Sequence, residues 1–217
     1  MKNLPIRQPY FIIWTILYLC FLLLGLILPN SLAVTFLRLA GIFLCVLYVS
    51  IYSQNLLLKF AFMLTLLADV FLAINSVSIA GVITFCFVQF THFIRLKNSS
   101  YKLLVIFYIG ILLVFVFSIL WNIDAHYPLA AIYCTTLVTN IFLAKKRDTI
   151  SFLGFLLFLC CDILVAVSFL ASVGVLHHAL HPIADYLAWA FYLPSQVLIA
   201  NTPEKLARST KKVAKAR

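Results

Sequence analysis

The chain has 217 residues, 65 % hydrophobic and 10 % charged, with a formal net charge of +10 and a mean hydropathy of +1.13. A soluble domain is nearer half apolar and a quarter charged, so this composition excludes one and points to a chain almost wholly embedded in a membrane. The positive charge is not a nucleic-acid footprint, because the basic residues lie in short loops and at the termini, where they orient membrane spans.

The N-terminus carries Lys2 and Arg7 before an apolar run. That run is about 19 residues long and no small-x-small cleavage site follows it, so it reads as a retained first span rather than a signal peptide. The pattern predicts eight apolar segments, near 10–28, 32–53, 56–75, 77–96, 102–121, 127–144, 150–171 and 183–200. Each is close to the ~20 residues a helix needs to cross a bilayer. Short turns join them, including Lys145-Lys146-Arg147-Asp148, and a longer histidine-containing stretch covers 174–182. The expected fold class is all-α, a polytopic membrane bundle of eight transmembrane helices with short loops. It forms one domain, 1–204, followed by a basic cytoplasmic tail, 205–217.

Charge tests this division. With the N-terminus inside and the ends alternating, every one of the 16 basic residues except Arg38 falls on the inner side, which is the positive-inside pattern with both termini cytoplasmic. The six cysteines all lie in apolar runs without zinc-type spacing and read as small buried hydrophobes. Trp14, Trp121 and Trp189 are expected near the interfaces.

Two spans keep a carboxylate: Asp69 in LLLKFAFMLTLLADVFLAIN and Asp162 in ISFLGFLLFLCCDILVAVSFLA. An ionised carboxylate in hydrocarbon costs several kcal/mol or more, so it needs a partner or a task. Arg38 and Asp69 each lie roughly 9 Å below the outer side at the rise of an α-helix. Asp162, Gln89 and Tyr192 lie near mid-helix. These groups either satisfy one another, as an Arg38–Asp69 ion pair and a Gln89–Tyr192 hydrogen bond, or line a cavity or pathway. His177 and His181 have the i, i+4 spacing of metal ligands, but the stretch reads as an outer loop far from His92. No metal and no cofactor is expected.

Three stretches then resemble a known family. LLADVFLAINSVSIAGVITFCFVQFTHF, FLGFLLFLCCDILVAV and WAFYLPSQVLIA are similar to the signatures of the YhhN family of bacterial membrane proteins. Those are a Gly-Asp followed in the next helix by Gly-Leu-x-x-Phe-x-x-x-His-x-x-Tyr, a run leading to Ser-Asp, and a terminal Tyr-Tyr-x-x-x-Gln. The family includes lysoplasmalogenases, which hydrolyse the vinyl ether bond of lysoplasmalogens to a fatty aldehyde and a glycerophospho-alcohol. The resemblance implies a bacterial inner-membrane location, a lysophospholipid substrate among membrane lipids, and Asp69 and Asp162 as catalytic residues. Gly81 and Phe85 match the intervening run, Tyr192 and Gln196 the last helix, and Arg38 falls near a family lysine. Ala68, Cys161, Gln89 and His92 stand where the family has glycine, serine, histidine and tyrosine.

Vinyl ethers hydrolyse by acid catalysis, which needs one protonated carboxyl and one carboxylate. Asp162, with no charge near it in sequence, is expected as the acid, and Asp69, level with Arg38, as the ionised partner. Arg38 could instead hold the headgroup phosphate, and Gln89, Tyr192 and Gln196 complete the expected substrate-binding set. The same aspartates would also serve a small-solute or proton-coupled transporter, although no internal repeat or pair of broken helices marks one. A non-catalytic membrane protein is the third alternative.

Overall fold

A computed structural model describes residues 7–28, 31–75, 78–97 and 102–202. The basic tail 205–217, Lys2 and the 97–100 turn beyond Lys97 lie outside the described residues. Among those residues the chain forms eight helices: α1 (Arg7–Ile27), α2 (Leu32–Tyr52), α3 (Leu56–Ile74), α4 (Ile79–Lys97), α5 (Lys102–Leu120), α6 (His126–Arg147), α7 (Thr149–Ser172) and α8 (Leu180–Ala200). Seven of them are long and apolar enough to cross a membrane, which marks the chain as an integral membrane protein; in α5 the apolar stretch is the shorter Val105–Leu120.

Contacts at the two ends set the directions of the helices. At one end, which we call the basic end, the Tyr48 hydroxyl at the close of α2 donates to Asn201 Oδ1 after α8 (2.7 Å). At the same end Ser151 of α7 bonds Thr202 (3.1 Å), and Arg147 of α6 donates to the Arg95 carbonyl of α4 (2.9 Å). Toward the far end Cys86 of α4 donates to the Leu129 carbonyl of α6 (3.5 Å). Helices α4 and α6 therefore run parallel, and α5 must return the chain along the length of the bundle between them.

Six helices close a ring, in the order α2, α3, α4, α6, α7, α8 and back to α2. The most extensive pairing is α7 with α8. Helix α1 lies outside the ring in the groove between α2 and α8, and α5 lies outside it against α4 and α6. Helix α5 is apolar on every side, and Val105, Ile106, Ile109 and Leu112 are all exposed, as suits a helix whose surroundings are lipid.

The connections follow from local chemistry. Asp148 is at once the C-cap of α6 and the N-cap of α7, its carboxylate accepting from the Ser151 amide (2.8 Å). The turn expected at Lys145–Asp148 is therefore a single residue. The three basic residues stay helical because cations in a last turn offset the unpaired carbonyls and the dipole there. Helix α7 stops at Gly174, whose φ of +79° is the left-handed cap conformation that lacks a Cβ penalty only in glycine.

Pro194 sits inside α8 and has no N–H to donate to the Ala190 carbonyl. The Tyr18 hydroxyl of α1 takes that place, donating to Ala190 O at 2.8 Å. Aromatic rings mediate the rest of this contact: Trp14 stacks on Tyr18, and Phe21 on Tyr186. Trp14 is only 7 % exposed, and Trp189 packs on Arg38. Of the three tryptophans, Trp121 is the openly exposed one.

Candidate functional site

Arg38, Asp69, Gln89, Asn140, Asp162 and Gln196 come one from each of the six ring helices. Asp69 is buried, and the Tyr192 hydroxyl of α8 faces both of its carboxyl oxygens, at 3.1 and 2.8 Å. Asp162 of α7 is half-buried and accepts the Tyr133 hydroxyl of α6 on one oxygen only, Oδ2, at 2.8 Å. The two carboxyls are thus each held by a tyrosine, but unequally. Between the pairs stands Phe85 of α4, its ring edge-on to Tyr133 at 6.2 Å and to Tyr192 at 6.5 Å. Phe158 closes the same cluster, 6.2 Å from Phe85 and 5.4 Å from Tyr192. Cys161, next to Asp162 in the chain, lies in the field of both aspartates.

The expected Arg38–Asp69 ion pair does not form. Arg38 reaches across to α8 and bonds Asp185 Oδ2 through one nitrogen, at 3.3 Å. Its guanidinium lies over Trp189 at 4.8 Å and Phe21 at 5.7 Å. The reason is helix phase. Asp185, Trp189, Tyr192 and Gln196 recur at the i, i+4, i+7, i+11 spacing of one helix stripe. That stripe offers a carboxylate to α2 near the far end and a hydroxyl to α3 at mid-helix. Gln89 likewise does not pair with Tyr192. Asn140 of α6 donates to both its backbone carbonyl (2.8 Å) and its side-chain oxygen (3.0 Å), and its side chain approaches Tyr133. Gln196 is buried on the same stripe, closer to the basic end.

The structure therefore brings together Asp69, Asp162, Tyr192 and Gln89 around Phe85. Arg38 sits one layer nearer the far end and Gln196 one layer nearer the basic end. Sequence reasoning missed Tyr133, Asn140, Asp185 and Trp189. Asp185 carried a visible signal, a third carboxylate seven residues before Tyr192; Tyr133 and Asn140 carried only their polarity within an apolar span. Of the histidines, His181 lies in the first turn of α8 with its Nδ1 against the Ser168 hydroxyl (2.8 Å). His177 accepts the Ala179 amide. The two do not converge on one point, and among the described residues no cluster of three metal-type ligands forms.

A buried carboxyl met on both oxygens and a half-buried one with an oxygen to spare have the unequal surroundings that base and acid roles require. Comparison with protein-family models, with curated proteins and with solved structures finds no match to this chain.

Proposed function

We propose that this protein is an eight-span membrane hydrolase that cleaves the vinyl ether bond of a lysoplasmalogen-type lysophospholipid. Its orientation in a bacterial inner membrane would leave both termini cytoplasmic, as the basic residues require. The observation that carries the reading is the pair of tyrosine-bound aspartates facing one ring of helices, unequal in their ligation. The resemblance of the stretches around Asp69 and Asp162 to lysoplasmalogenase signatures supports it.

The reaction divides as follows. Asp162, whose Oδ1 is not taken by Tyr133, gives its proton to the β-carbon of the vinyl ether, and the C=C π bond supplies the electron pair. The oxocarbenium ion so formed is stabilised by the Asp69 carboxylate, which Tyr192 holds in place. Water adds to the cation and loses a proton to that carboxylate. The hemiacetal then collapses: Asp162, now a carboxylate, takes its hydroxyl proton while Asp69 returns its own to the ether oxygen, whose C–O bond breaks to leave a fatty aldehyde and the glycerophospho-alcohol with both carboxyls back in their starting states. Arg38 spends one terminal nitrogen on a long bond to Asp185, and its other terminal nitrogen would take the headgroup phosphate.

Purified protein incubated with lysoplasmalogen, and in parallel with the matching ester-linked lysophospholipid, tests this. Fatty aldehyde is expected from the first lipid only. Asp69→Asn and Asp162→Asn should each lower the rate by about 10²–10⁴-fold, the usual worth of a positioned acid or base. Free fatty acid from the ester instead, or no product from either lipid with the protein folded, would overturn the assignment.

A further inference from the structure

We infer that ordered water occupies the half of the helix ring between Asp162 and the basic end, forming a hydrated path from that end to the aspartates. Three side chains carry the inference. His92 Nδ1 on α4, Asn140 Oδ1 on α6 and Gln196 Nε2 on α8 are sealed from the surface and have no hydrogen-bond partner among the described residues. All three residues are essentially unexposed. A buried polar atom left without a hydrogen bond is costly, and three together would weigh heavily on the stability of an ordinary domain. Internal water with two to four polar partners removes that cost. An apolar side chain would remove it more simply, yet all three positions are polar.

Their placement is continuous. The Asp162–Tyr133 bond leads to Gln89, whose carbonyl and side chain hold Asn140. His92 lies one turn further along α4 from Gln89, and its ring is fixed edge-on between Phe155 at 5.3 Å and Phe62 at 6.5 Å. Arg95 follows one turn later, where Arg147 already ties its carbonyl to the end of α6. Polar groups thus recur at one-turn intervals along α4, from Gln89 through His92 to Arg95 at the basic end. The hydration stands on these atoms alone. That the path supplies the water consumed at Asp162 rests on the hydrolase reading above.

Brief X-ray radiolysis of the full-length protein in lipid nanodiscs, followed by peptide mass spectrometry, tests the hydration directly. Hydroxyl radicals formed from bound water oxidise the side chains beside it. His92 and Phe155 should be labelled, while Phe21, equally buried on the α1 side, should stay unlabelled. In the double variant His92→Phe with Gln196→Met the label at Phe155 should be lost. If His92 and Phe155 in the unaltered protein label no faster than Phe21, the inference fails. The lipid assay reads the other question separately: a labelled path without aldehyde leaves the hydration standing and removes the hydrolase reading, whereas aldehyde from a dry core overturns the path alone.

Discussion

Pro194 cannot donate to Ala190, and Tyr18 supplies the missing hydrogen bond from a different helix. One hydroxyl therefore does the work of a backbone amide and fixes α1 against α8. Tyr18→Phe should destabilise the protein by about 1 kcal/mol, the net value of such a bond, read from thermal or denaturant unfolding in detergent. Combined with Pro194→Ala, which returns the amide, the loss should shrink; equal losses in both backgrounds would show that the hydroxyl is not compensating the proline. At Asp124, between α5 and α6, the cause of a titration shift is equally local. Bonds from the His126 amide and ring hold its carboxyl below the usual carboxylate range. A depressed carboxylate adds stability above its unfolded value and loses it as pH falls through the folded one. His126→Ala should accordingly move the Asp124 titration upward in NMR, and an unchanged midpoint would disprove the cause.

Helices approach one another where glycine permits it. A Cβ at Gly154 of α7 would meet Ile199 Cγ1 at 2.8 Å and the Ile199 backbone nitrogen at 3.2 Å, and backbone in a helix cannot step aside. Gly154→Ala should cost about 1–3 kcal/mol as overpacking. Gly110, on the outlying α5, has nothing within 4 Å of a Cβ, so Gly110→Ala should be neutral or stabilise by up to about 1 kcal/mol through helix propensity. Thermal shifts of opposite sign for the two variants would confirm that α7–α8 is the tight pair and α5 the loose one. The same contrast explains why the elements were readable but their contacts were not. Apolar runs bounded by Asn55, Asp148 and Gly174 announced where helices start and stop. Nothing in a run announces which neighbour its polar face will meet.

At the scale of the molecule, the parallel course of α4 and α6 has α5 return the chain along the length of the bundle. Reporter fusions after Asn122 and after Asp148 should consequently fall on opposite sides of the membrane, with the latter on the same side as the C-terminus. Both on one side would remove a crossing from this region and with it the proposed eight-span topology. The ring of six helices also decides which sites exist at all. Arg38, Asp69, Gln89, Asp162 and Tyr192 were singled out because each is polar in an otherwise apolar run, and all five do belong to ring helices. Their partners were legible only in part: Tyr192 is far from Asp69 in the chain, and no local pattern encodes that meeting.

Composition, the length of the apolar runs and the placement of charge were enough to determine a helical membrane protein, the approximate ends of its spans and the residues too polar to be there without cause. They suffice because water, hydrocarbon and backbone hydrogen bonding act on each segment separately. The tertiary structure alone decided that Arg38 takes Asp185 rather than Asp69, that Asp69 and Asp162 are each held by a tyrosine, and that α1 and α5 stand outside the ring. Those outcomes depend on the rotation of each helix about its axis and on which helices touch. They are settled by side-chain packing between segments remote in the chain, where a change of one position in phase exchanges every partner.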